Sequence, residues 1–214
     1  METKLTEQES LAIISKMIEQ ARNNFQKGSG NSMIFVGLSV AFTAIFNVIL
    51  ALIFLKKGIS PNFSFWIWCI MIPVIYINNL IKKKLNKEYM VKTHIDSIIN
   101  ATWKAYSYSC FVFLTVIFGI GFGNKFYGLF ILINPVILIL MGLAEFVIAK
   151  VCRFKPYRYG AVVMWIGALA CMVVTIMFRN SIVIIQFFIL ALCMIRGFVV
   201  PGYQLNKLAK EENV

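Results

Sequence analysis

The side chains that could do chemistry are few in this sequence, and two of them interrupt long apolar runs. Glu145 lies in the run 127–149 and Arg196 in the run 182–200. A charge at the centre of a bilayer costs about 2.5–3.5 kcal/mol on insertion scales, and less near the interface. An ion pair between Glu145 and Arg196 would remove much of that cost, so we predict these two residues as an intramembrane ion pair near the cytoplasmic boundary. Such a pair could have a structural role and hold the two helices together, or a functional one, as a gate or substrate contact. A further structural alternative is that Arg196 does not pair and extends to the lipid headgroups.

Catalytic side chains are scarce elsewhere. The single histidine, His94, and the only aspartate, Asp96, are two residues apart and would point away from each other on a helix. Acid–base and metal sites need several such groups that converge. The five cysteines form no CxxC or Cys/His spacing, which favours packing roles. We therefore predict no catalytic residue, no cofactor and no metal, and a protein that is not an enzyme.

Six apolar runs must position Glu145 and Arg196. A helix needs roughly 20 mostly apolar residues to cross a bilayer. Continuous apolarity on both faces excludes barrel strands, which alternate. The predicted fold class is all-α: a polytopic membrane protein with six transmembrane helices and an N-terminal amphipathic cytoplasmic helix. The predicted spans are 33–55, 63–81, 105–123, 127–149, 160–178 and 182–200.

The positive charge is distributed unevenly around these spans. Of the 21 Lys and Arg residues, all but four fall in the leader, in the loops after spans two and four, or in the last span and the tail. The positive-inside rule therefore predicts that both termini are cytoplasmic. We expect a multi-pass protein of the bacterial cytoplasmic membrane that contacts the lipid bilayer and no nucleic acid, despite a net charge of +12. The four exceptions are Lys56, Lys57, Lys125 and Arg179.

The first thirty residues resemble a soluble amphipathic helix. Thr6 and Glu9 have capping-box spacing, and an apolar stripe follows at helical spacing. Gly28-Ser29-Gly30-Asn31 predicts a flexible break, which divides the chain into a leader (1–30), a membrane domain (31–202) and a tail (203–214). The stripe would dock on this protein's own loops, on a second copy or on a partner. It consists of Leu11, Ile14, Ile18, Ala21 and Phe25.

A second amphipathic segment precedes span three. Ile95, Ile98 and Ile99 fall on one face, and we expect this helix to run continuously into the span. Amide side chains inside the spans are expected to join helices by hydrogen bonds worth about 0.5–2 kcal/mol each, or to line a polar pathway. They are Asn47, Asn78, Asn79, Asn134 and Gln186.

Three short strings carry a family resemblance. They are Thr6-Glu7-Gln8-Glu9-Ser10-Leu11, Ala21-Arg22-Asn23-Asn24 and Pro201-Gly202-Tyr203. With them the chain resembles a group of small polytopic bacterial inner-membrane proteins with no known activity. The resemblance covers most of the chain and brings no site residues. Members of that group often lie beside small DNA-binding regulators, which implies at most a role in envelope response.

Two functions from different classes follow. The leading prediction is a non-enzymatic membrane protein that self-associates or docks a membrane or cytoplasmic partner at the cytoplasmic face. The alternative is a small-molecule transporter or exporter subunit with a gate at Glu145 and Arg196. A lipid-modifying enzyme is disfavoured, because paired acidic residues and further histidines are missing from the sequence.

Overall fold

The structure, a computed structural model, describes residues 7–86, 94–177 and 182–211. This part of the chain is almost entirely helical and contains no strand. The α-helices are α1 (Glu7–Lys56), α2 (Met71–Asn86), α3 (His94–Gly123), α4 (Ile133–Cys152), α5 (Lys155–Met177), α6 (Ile182–Met194) and α7 (Val200–Glu211). Two 3₁₀ segments, Pro61–Ile70 and Tyr127–Leu132, lead into α2 and α4, and a π-helical turn, Ile195–Val199, joins α6 to α7.

Six of the helical segments are long and apolar enough to cross a membrane, which confirms the predicted all-α fold with six spans. Several are longer than the sequence indicated, because amphipathic turns extend them beyond their apolar runs. The chain is thus a multi-pass membrane protein by length and composition. The six spans are Gly30–Lys56, Phe63–Ile81, Ile95–Gly123, Tyr127–Cys152, Lys155–Met177 and Val183–Leu208.

The predicted break at Gly28–Asn31 is wrong, since α1 runs through it without interruption. A Cβ placed on Gly30 would lie only 2.7 Å from the carbonyl oxygen of Gly202 in α7. Beside this crossing, the Asn206 amide donates a hydrogen bond of 2.7 Å to Asn31 Oδ1. Gly30 therefore allows close packing between two helices, and the helix remains intact because its neighbour covers it.

The structure confirms that the amphipathic segment before span three is a helix continuous with that span. Helix α3 begins at His94 and continues unbroken to Gly123, and Ile99 on its predicted apolar face is buried. The leader's predicted apolar stripe lies mostly outside the described side chains. The backbone of the leader is helical from Glu7, whereas Thr6 and most of the leader's side chains lie outside the described residues. Its amphipathic docking role therefore stays a prediction.

The core of the bundle lies between two groups of helices. Helix α1 packs along α6 and α7, and α4 packs along α5. Half of the most apolar window of span four is buried, against 11% in spans two and three, whose apolar side chains face outward and indicate contact with lipid.

Amide side chains join these helices, as predicted for three of the five. Asn47 and Ser64 exchange two hydrogen bonds of 3.1 and 3.0 Å, one of them through the Ser64 carbonyl. Asn78 accepts one from Ser32 at 2.8 Å. Gln186 donates one to Thr175 at 2.9 Å. Asn79 is exposed, and Asn134 belongs to the cavity described below.

Candidate functional site

Glu145 is the most unusual side chain in the structure. It is 0% exposed, and neither carboxylate oxygen has a hydrogen-bond partner in the part of the chain that the structure describes. It lies on the buried stripe of α4, seven residues before the end of that helix, or about 10 Å at 1.5 Å per residue. A buried charged group without a partner is expensive, so it marks a functional site by default in a membrane protein.

Two glycines allow other helices to approach this carboxylate. Oε2 of Glu145 would lie 2.7 Å from a Cβ on Gly160 in α5, and the carbonyl oxygen of Gly197 contacts the same point. Gly197 belongs to the π-helical turn, where the amide of Val200 bonds to the carbonyl of Ile195. Short π-helical insertions are frequently found at functional sites. Glu145 therefore lies where α4, α5 and a π-helical turn meet.

Two tyrosine hydroxyls lie within range of the charge on Glu145, but neither bonds to it. Tyr106 and Tyr157 both lie close enough for its charge to act on them. Tyr157 donates to the sulfur of Met33 at 2.6 Å, and Tyr106 to the sulfur of Met141 at 4.0 Å. Thioether sulfur is a weak acceptor, so a carboxylate could outcompete these two bonds.

The structure does not pair Arg196 with Glu145. The two residues lie at the same level of the bundle, because Gly197 and Glu145 both contact Gly160. The side chain of Arg196, however, is exposed, and Glu145 accepts no hydrogen bond from the described residues. Gly197 presents its own face to α5, so the preceding residue is turned away, and a long cationic side chain can reach the headgroups.

Among the other chemistry-bearing residues, the thiol of Cys193 also lies within range of the charge on Glu145. Asp96 lies in the first turn of α3, and the side chain of His94 is outside the described residues. The five cysteines are free thiols. Within the described ranges, no group of three or more His, Cys, Asp or Glu residues is arranged to hold a metal ion.

A second feature was not predicted from the sequence: an aromatic cavity of about 250 Å³ at the end of the bundle that carries residues 57–60 and 124–126. We call it the aromatic cavity. In the sequence these aromatic residues are isolated members of apolar runs. Their enrichment near the span ends is the only sequence signal of a site there. It is lined by the aromatic residues Phe65, Tyr127, Phe130 and Phe187, by Asn134 and Gln186, and by Gly128, Ile131 and Val183.

Asn134 of the aromatic cavity and Glu145 lie on the same helix. Both residues lie on the buried stripe of α4, with Leu138 and Met141 between them. They are eleven residues apart, or about 16 Å along the helix. The buried face of one helix therefore carries a neutral amide at one end and a carboxylate towards the other.

Comparisons with known proteins found no match for this chain among protein-family models, curated proteins or solved structures.

Proposed function

We propose that the protein is a small transporter of the bacterial cytoplasmic membrane, with both termini cytoplasmic, and that it couples solute movement to a proton bound at Glu145. The single observation that carries this proposal is the carboxylate of Glu145, fully buried between membrane-spanning helices without a hydrogen-bond partner among the described residues. A purely structural role would be expected to give it one, since buried polar groups in native proteins are almost always paired.

A proton fits this carboxylate better than a metal ion. Ca²⁺ and Mg²⁺ require about six or more oxygen ligands at once. Glu145 supplies one carboxylate, and the nearby Gly197 carbonyl is directed at Gly160. A proton needs only one oxygen and neutralises the buried charge completely, which removes the cost of holding it in the bundle.

The surrounding residues suggest how the site changes state. With a proton bound, the carboxyl group is neutral and tolerates the apolar surroundings seen here. Without it, the charge attracts strong donors, and the hydroxyls of Tyr106 and Tyr157 lie within range of it while each donates to a methionine sulfur, a weak acceptor. Moving them displaces α3 and α5 relative to α4. Loss of the proton is thus coupled to helix movement, as alternating access requires.

Proton flux in proteoliposomes tests this proposal. Vesicles loaded with a pH-sensitive dye and held at acidic internal pH receive organic cations, organic anions, amino acids and sugars in turn. We expect one solute class to drive proton release in the wild type. Glu145→Gln should abolish the response, because the amide has the same shape and carries no titrating proton. Glu145→Asp should retain part of it.

The matched control is Asp96→Asn, which removes an acidic group from the first turn of α3, away from this site. It should leave the flux unchanged. Flux that survives in Glu145→Gln, or a wild-type protein that moves no proton with any solute class, would contradict the proposal.

A further inference from the structure

We infer that the aromatic cavity binds a small organic cation of the quaternary or tertiary ammonium class, with a compact apolar body. This inference names the solute class of the proposed transporter and rests on that function for its biological role. The volume of the aromatic cavity, about 250 Å³, lies below the ~300–1,000 Å³ of sites for drug-sized molecules, so the ligand must be small.

The rings make the cavity attractive to a positive charge. Four of the nine lining residues carry an aromatic ring, and none of the nine is charged. The faces of aromatic rings are electron-rich and attract cations, most strongly when the cation is removed from water. Rings that surround a methylated ammonium group are a recurrent solution for binding it.

The amide groups argue against a purely apolar guest. Asn134 is only 5% exposed, and it lines the cavity. Gln186 is oriented by the donation of its nitrogen to Thr175 at 2.9 Å, a bond that does not use its oxygen. A hydrocarbon would offer these polar groups no hydrogen bond. The positive charge of an ammonium group is attracted to their oxygens, which carry partial negative charge.

The wall of the cavity is preformed. The ring of Phe187 stacks on Trp68 at 5.6 Å and meets the edge of Phe65 at 5.5 Å, measured between ring centroids. Phe130 contacts Phe118 at 5.4 Å and Phe122 at 5.5 Å. Because these rings are held by their neighbours, little conformational entropy is lost when a ligand arrives.

A pair of isosteric probes tests the inference. Benzyltrimethylammonium carries a quaternary nitrogen, and neopentylbenzene has carbon at the same position and no charge. Binding to the purified protein in detergent is measured by equilibrium dialysis, with protein-free micelles as the blank. We expect saturable binding of the cation and at least about tenfold weaker binding of the neutral probe, from the loss of the cation–ring attraction.

Ring substitutions locate the site. Phe187→Leu and Phe130→Leu keep the walls apolar but remove a ring, and each should weaken cation binding by about three- to tenfold. Phe111→Leu is the matched control, because Phe111 is 71% exposed on α3 and outside the cavity; it should bind as the wild type does. Equal binding of both probes, wild-type affinity in both ring variants, or no saturable cation binding would overturn the inference.

The two proposals fail separately. Glu145→Gln should retain cation binding, since Glu145 lies about 16 Å along α4 from Asn134. Cation binding without proton flux from any solute would overturn the transport function and support the cavity as a binding site. Proton flux driven by another solute class, without cation binding, would overturn the cavity inference alone.

Discussion

At the scale of single residues, Glu145 is the side chain whose burial is most unfavourable in free energy. Its carboxylate is fully buried beside Gly160 of α5, and neither oxygen has a hydrogen-bond partner among the described residues. Leaving one buried polar group without a partner costs about 1–3 kcal/mol, and more when the group is charged. A buried side chain that destabilises the fold this much is expected to have a function. For this reason we assign the proton site to Glu145.

Replacing Glu145 with an apolar side chain of similar length should therefore stabilise the protein. We expect Glu145→Met to raise the free energy of unfolding by about 1–3 kcal/mol, because it removes the unpaired group and leaves no cavity. Thermal unfolding in detergent, followed by circular dichroism, measures the change. The control is Gln186→Met, which breaks hydrogen bonds to Thr175 and Cys171 and should destabilise. A Glu145→Met protein that unfolds earlier than the wild type would assign Glu145 a structural role.

At the scale of helices, the fold depends on close crossings and on shared amides. The first membrane span and α7 approach so closely that a Cβ on Gly202 would lie 3.0 Å from the carbonyl oxygen of Gly30 and from the Cβ of Met33. Within a membrane, where lipid competes for apolar surface, such close backbone contacts and interhelical hydrogen bonds hold helices together. The crossing also brings the two ends of the membrane domain to one place.

A bulkier residue at this crossing should separate α1 from α7. We expect Gly202→Val to cost about 1–3 kcal/mol, the usual penalty for overpacking a close contact. Gly119→Val is the matched control: Gly119 is also helical, but no atom lies within 4 Å of its Cβ position. Unfolding by a denaturing detergent, with both variants titrated side by side, compares them. Equal midpoints for the two variants would show that the crossing contributes nothing.

At the scale of the whole molecule, the orientation in the membrane depends on the even number of spans and on the uneven distribution of positive charge. The contact between Asn31 and Asn206 places the start of span one and the end of span six at the same end of the bundle. Most of the lysines and arginines belong to that end or to the loops expected beside it. By the positive-inside rule, we expect this distribution to direct that end of the bundle to the cytoplasm.

Reporter fusions test this orientation. A fluorescent protein that folds only in the cytoplasm should fluoresce on either terminus, and alkaline phosphatase, which is active only outside, should be inactive there. Alkaline phosphatase inserted after Lys125 should be active, because this residue lies in the turn between spans three and four. Phosphatase activity at either terminus would reverse the orientation and, with it, the direction of the proposed transport.

Sequence alone determined the class of the molecule and the number of its spans. Crossing a bilayer demands a long apolar helix, and that demand is written locally in each segment, from Phe63–Ile81 to Val183–Leu208. Sequence also identified Glu145 as exceptional, since a charge in an apolar run is visible without any neighbour. The continuity of α3 followed from a local apolar periodicity in the same way.

The surroundings of those residues depend on how the helices pack. This packing turned Arg196 outward, left Glu145 against Gly160, and converted the predicted break at Gly30 into a helix crossing. It also assembled the aromatic cavity from Phe65, Phe130 and Phe187, which are far apart in the chain. Helix rotation and packing partners depend on contacts between distant segments, and a single sequence records such contacts only through the fold that they produce.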